Sequence, residues 1–158
     1  MNQIKSKLIE QFKMAGAAPF LFIGSGFSRR YLNLEDWSSL LRRFTEGLKP
    51  FEYYMASAGG DLPTVASLIA NDFHDRWWMD PLYDVSREKS KSKVRDKTSA
   101  LRIEICNHLN SVTAHAFKST AYPEEVAALS KLNVDGIITT NWDVFIEKLF
   151  PDYRVYTG

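Results

Sequence analysis

A chain of 158 residues, 45% hydrophobic and 25% charged, is long enough for one domain with a real core and too apolar for a disordered or fibrous protein. A net charge of +1 removes any global reason to expect nucleic acid or an anionic membrane as partner. The single Cys106 excludes an internal disulfide framework and a cysteine-based zinc site.

Residues Ile4, Leu8, Ile9, Phe12 and Met14 fall at helical spacing among lysines and Glu10, which predicts an amphipathic helix ending near Gly16. This start lacks a secretory signal's apolar core, and no apolar run is long enough to span a bilayer, so a reducing, cytoplasmic setting is expected. Phe20-Leu21-Phe22-Ile23 is an apolar strand run that breaks into Gly24-Ser25-Gly26-Phe27-Ser28. A buried parallel strand hands over to a phosphate-binding turn in this manner. The glycines would supply positive φ and let backbone N–H groups approach a pyrophosphate. Arg29 and Arg30, next in line, suit either a ligand or the solvated surface.

A helix with Asp36 or Asn33 as N-cap is expected to carry Trp37, Leu40, Leu41, Phe44 and Leu48 on its core face until Gly47 and Pro50 stop it. From Phe51 to Gly60 the pattern is mixed, with a turn at Gly59-Gly60. Val65, Leu68, Ile69, Phe73 and Trp77 predict a further helix, whose aromatic end around Trp77 and Trp78 suits packing more readily than base stacking. The basic stretch 86–97 lacks the aromatics of a stacking platform and is expected to be an exposed loop. A helix from near Ser99 follows, with Cys106 expected as a buried, inert thiol. His108 and His115 lie two turns apart on it but lack a partner at ligand spacing, so no metal is expected. Pro123–Leu129 reads as a short helix with acidic residues in its first turn.

Val134 to Asp143 is a strand with polar residues at its carboxyl end, and an apolar helix from Val144 to Phe150 follows. Ligands of open parallel sheets bind outside the carboxyl ends of the strands, so Thr140, Asn141 and Asp143 are expected to face the same crevice as the glycine turn. The fold class expected is α/β: a Rossmann-like parallel sheet flanked by helices, with a helical insertion of about residues 50–120 between the two motifs.

Gly24-x-Gly26-x-Ser28, the helical Trp37-x-x-Leu40-Leu41 and Thr139-x-Asn141-x-Asp143 together resemble the sirtuin-like NAD-consuming domains, in particular their defence-associated branch. The resemblance implies that Gly24, Ser25, Gly26, Phe27, Ser28 and Thr140 bind NAD, the substrate. Asn141 would match the catalytic asparagine at the nicotinamide ribose, and Asp143 the aspartate at the carboxamide. Thr140 stands where deacetylating members carry glutamine, which argues for NAD hydrolysis over deacetylation. The family's catalytic histidine belongs to a His-Gly motif one strand beyond the Asn-x-Asp helix. None of His74, His108 and His115 holds that place, so the chain is expected to be the N-terminal part of a single, longer domain. The implied activity is that of a gated effector depleting NAD in antiviral defence, acting as a homo-oligomer or with a sensor or activator protein. Two alternatives stay open: a module that senses NAD or an ADP-ribose derivative without turnover, and an Asn141 that merely caps the next helix.

Overall fold

Val65, Ile69, Phe73 and Trp77 stand four residues apart and are wholly buried, as one face of a long helix requires. The computed structural model describes residues 2–116 and 121–156. The expected end of the insertion near residue 120, and Thr157 at the expected start of a further strand, lie outside the described residues. In chain order the elements are α1 (Asn2–Ala15), β1 (Phe20–Ile23), α2 (Ser25–Leu32), α3 (Trp37–Arg43), α4 (Phe51–Ser57), α5 (Leu62–Met79), α6 (Asp84–Ser90), α7 (Ser99–Ala116), α8 (Pro123–Leu129), β2 (Gly136–Thr139) and α9 (Phe145–Leu149). The protein is therefore mostly helical with a small two-stranded parallel sheet, and it divides into two compact units, residues 1–34 with 113–158 and residues 35–112. None of the described helices is long and apolar enough to cross a membrane.

In the first unit β1 and β2 run parallel, with Phe20 opposite Gly136 and Ile23 opposite Thr139. One sheet face supplies Ile23, Leu21 and Ile137 to a core with Ile146, Leu149 and Phe150 from the segment of α9, and Val126 and Leu129 of α8 join it. The opposite face is bare: Phe20 is 65% exposed, Phe22 75% and Ile138 52%. The ring of Phe20 lies over Gly136, where a Cβ would stand only 2.4 Å from Phe20 Cε1. A side chain at 136 would therefore displace that ring. Tyr153 ties the C-terminal segment to the start of β2, its hydroxyl donating to Val134 O at 2.6 Å.

The second unit is all helical. Its buried set includes Leu40, Leu41, Phe44, Phe51 and Tyr54 besides the face of α5, and Phe44 meets Phe73 edge to face at 5.8 Å. Asp36 caps α3 by accepting from Ser39 N–H at 2.8 Å, as one of the two expected residues. Asp61 does the same for α5 through Thr64 N–H. The Tyr54 hydroxyl donates to Asp72, which also pairs with Lys49 Nζ. Burial, reinforced by the Asp72 carboxylate, pushes the Tyr54 phenol up to about 12. The hydrogen bonds from Lys49 and then Tyr54 hold Asp72 below the usual carboxylate range.

Three expectations give way to the packing, and in two further stretches the structure decides what the pattern left open. The apolar stripe of α1 is formed but not buried, with Ile4 at 69% and Phe12 at 45% exposure. Helix α3 ends at Arg43, short of Gly47, because Phe44 and Thr45 donate three residues back and tighten the last turn. Residues 51–57 are helical despite their mixed pattern, since Phe51 and Tyr54, three apart, supply the buried side. The basic stretch is not a loop throughout. Helix α6 runs to Ser90 and a 3-10 turn covers Lys91–Lys93, with Arg87 paired to Asp84 and Lys91 to Glu88, which offsets the like charges. Cys106 is exposed, because the buried side of α7 passes through Leu101, Ile105 and Leu109 and leaves the next position turned outward.

Candidate functional site at the two strand ends

Because β1 and β2 are parallel neighbours in register, the chain leaves both at the same end of the sheet. Gly24 is the N-cap of α2 and is extended (φ −112°, ψ −176°), and Ser25 opens the helix. Neither Gly24 nor Gly26 has a positive φ, so the conformational need expected of them is absent. What they leave is room, since an added Cβ at either would meet no described atom within 4 Å. No side chain caps α2 at its start among the described residues, and Phe27 N–H already donates to Gly24 O at 3.0 Å. The helix closes at Asn33, whose left-handed backbone (φ 53°) lets its N–H reach Ser28 O.

The two loops are joined by side chains 113–117 positions apart in sequence. Asn141 Nδ2 donates to Gly24 O at 3.1 Å and to Ser28 Oγ at 2.8 Å. Ser28 Oγ in turn donates to Asp143 Oδ2 at 2.6 Å. The other carboxylate oxygen, Oδ1, accepts from Phe145 N–H at 3.1 Å at the start of α9. Asp143, one residue before the N-cap Val144, thus takes the first N–H of this helix, while Asn141 turns back to the glycine turn. Ser28 and Asp143 are 4% and 6% exposed, so this is a buried polar knot in which each donor has found an acceptor. Thr139 Oγ1 accepts from Asn141 N–H at 3.0 Å and shapes the exit from β2.

An open groove of about 820 Å³ runs along β2 and its exit, bordered by Thr139, Thr140, Asn141 and Trp142 together with Glu147 and Arg154. Its volume falls within the roughly 300–1,000 Å³ of small-molecule sites. Of the expected site residues it takes in Thr140, Asn141 and no part of Gly24–Ser28, and the Asn141–Gly24 hydrogen bond links the glycine turn to its lining. Trp142 (59% exposed) and Glu147, whose Oε2 is buried without a hydrogen-bond partner among the described residues, were not singled out in the sequence. Trp142 occupies a variable position of the Thr-x-Asn-x-Asp pattern, and Glu147 reads as an ordinary polar position of α9. Neither carries a signal of its own.

Phe27 packs into the apolar cluster of Ile23, Ile146, Leu149 and Phe150, its ring 4.7 Å from that of Tyr31 and 5.7 Å from that of Phe145. Arg30 is taken up by Glu125 at 2.6 and 3.0 Å and lies 4.3 Å from the centre of the Tyr122 ring. These contacts hold Glu125 below the usual carboxylate range, through Arg30 first and Tyr31 second. Arg30 is therefore a strut between α2 and α8. Among the described residues no group of three His, Cys, Asp or Glu side chains is placed to hold a metal ion. His108 instead pairs with Glu35 at 3.1 Å.

Comparison with protein-family models, with curated proteins and with solved structures finds no match to this chain.

Proposed function

We propose that this chain forms the dinucleotide-binding part of a Rossmann-like NAD+ glycohydrolase, a gated cytoplasmic effector that depletes NAD in antiviral defence. The observation that carries the reading is the junction of the two motifs, with Asn141 hydrogen-bonded to both Gly24 and Ser28 at the carboxyl ends of neighbouring parallel strands. The N–H groups of Ser25 and Gly26, the first of α2, have no partner within a helix and suit phosphate oxygens. The absence of a Cβ at Gly24 and Gly26 keeps that approach open.

Cleavage of the nicotinamide–ribose bond passes through an oxocarbenium-like transition state, as glycoside hydrolysis does. The pyridinium is already cationic and leaves as neutral nicotinamide, so strong acid catalysis is not required. The protein has to orient the ribose and a water, a task that suits a fixed amide such as Asn141. Free hydrolysis of NAD would harm the host cell, which is why gating by a homo-oligomer or a sensor or activator protein belongs to the proposal. Nicotinamide release from NAD by the full-length protein tests it. Asn141→Ala should abolish that release while the protein still folds, and unchanged turnover in the variant would sink the assignment.

A second reading, a sensor of NAD or an ADP-ribose derivative without turnover, is favoured by one feature. Both Asn141 amide hydrogens and both Asp143 oxygens are already satisfied inside the protein, which suits holding a shape. Binding of NAD by calorimetry with no nicotinamide formed would select it.

A further inference from the structure

The knot of Asn141, Ser28 and Asp143 has a direction. A serine hydroxyl carries one hydrogen, and a carboxylate oxygen only accepts. Ser28 spends its hydrogen on Asp143 Oδ2, so its oxygen is left to accept, and the group it accepts from is Asn141 Nδ2. Gly24 O, a carbonyl, likewise only accepts, and takes the second Nδ2 hydrogen. Two independent acceptors thus face the same nitrogen. With the amide reversed, Oδ1 would meet the Gly24 carbonyl oxygen and a hydroxyl already committed elsewhere. The amide is therefore held with Oδ1 turned away from both. Oδ1 has no hydrogen bond among the described residues, and Asn141 borders the groove along β2. Asp143 itself, 6% exposed and with both oxygens engaged, is closed to a ligand in this arrangement.

We propose that Ser28 and Asp143 are positioning residues that set the Asn141 amide, presenting Oδ1 as the acceptor for a ligand hydroxyl or a water. The identity of that ligand as NAD rests on the proposed function; the orientation of the amide does not. Ser28 and Asp143 then act through Asn141 and not by touching the dinucleotide.

Two measurements on the full-length protein separate the inference from that reading. The first follows the side-chain Hδ2 signals of Asn141 by NMR, identified by their loss in Asn141→Asp. Two distinct, slowly exchanging hydrogens are expected, with one released in Ser28→Ala and restored in Ser28→Thr. Signals that Ser28→Ala leaves unchanged would overturn the inference whether or not the protein acts on NAD. The second is turnover of NAD. Ser28→Ala should lower kcat on the order of 100-fold, the cost of a misplaced reacting group, with KM little changed. Ser28→Thr should recover most of that loss. A raised KM at constant kcat would instead make Ser28 a direct ligand contact and overturn the inference. No turnover in the parent protein would defeat the proposed hydrolase alone, because the NMR outcome still decides the orientation.

Discussion

The two units spend their residues differently. Residues 35–112 bury large apolar side chains in helix-to-helix contacts, with Val65, Ile69, Phe73 and Trp77 all at 0% exposure. The unit of residues 1–34 and 113–158 buries hydroxyl and carboxylate groups at its strand ends and leaves Phe20, Phe22, Ile138 and Trp142 more than half exposed. Apolar burial stabilises without direction, whereas a satisfied polar knot adds little net free energy and fixes geometry. Fully buried aromatic and aliphatic side chains on one long helix thus mark the helical unit, and a directed polar network marks the unit with the sheet.

The largest effect should come from the helical unit. Phe73→Ala removes a fully buried ring and should cost about 3–5 kcal/mol in urea unfolding. A cost below 1 kcal/mol would mean that this core is not what holds residues 35–112. Next, Asp143→Ala leaves Ser28 and Phe145 N–H without their acceptor in a buried place, for about 1–3 kcal/mol. A stabilised Asp143→Ala would show the knot to be a burden kept for function alone. Tyr54→Phe should cost about 1 kcal/mol by loss of one hydrogen bond to Asp72.

The same tyrosine predicts a pH dependence. Its phenol is raised in the folded state, so the unfolded chain loses that proton first. Stability is then fully present below about 10 and falls as pH rises towards about 12. Alkaline unfolding curves should lose this slope in Tyr54→Phe. The smallest effect belongs to the bare sheet face. Phe22→Ser, at a side chain 75% exposed, should shift stability by no more than about 0.5 kcal/mol, and a larger loss would reveal a cover over that face.

Much of this architecture is local and could be read from the chain. The four-residue repeat of α5, the cap at Asp36 as one of two candidates, the strand run Phe20–Ile23, a strand within Val134–Asp143 that the structure confines to Gly136–Thr139, and the helix after Pro123 follow from periodicity and capping chemistry, which act over a few residues. The polar residues packed after β2 marked Asn141 and Asp143 as a candidate site for the same reason. Helices α4 and α6 escaped because a seven-residue segment with two buried side chains, as in α4, or none, as in α6, carries no clear period.

What the tertiary structure decided is everything that depends on partners far away in the chain. An amphipathic stripe states that a helix can bury a face, and in α1 that face stays exposed. Cys106 shares a helix with buried residues and still points outward, because the direction of the neighbouring packing sets which positions of α7 are covered. Above all, the parallel pairing of β1 with β2 turns two distant motifs into neighbours, and only then does a hydroxyl at 28 find a carboxylate at 143 and an amide at 141. Sequence determines which groups are available; their direction, donor against acceptor, exists only once the fold has brought them within 3 Å of one another.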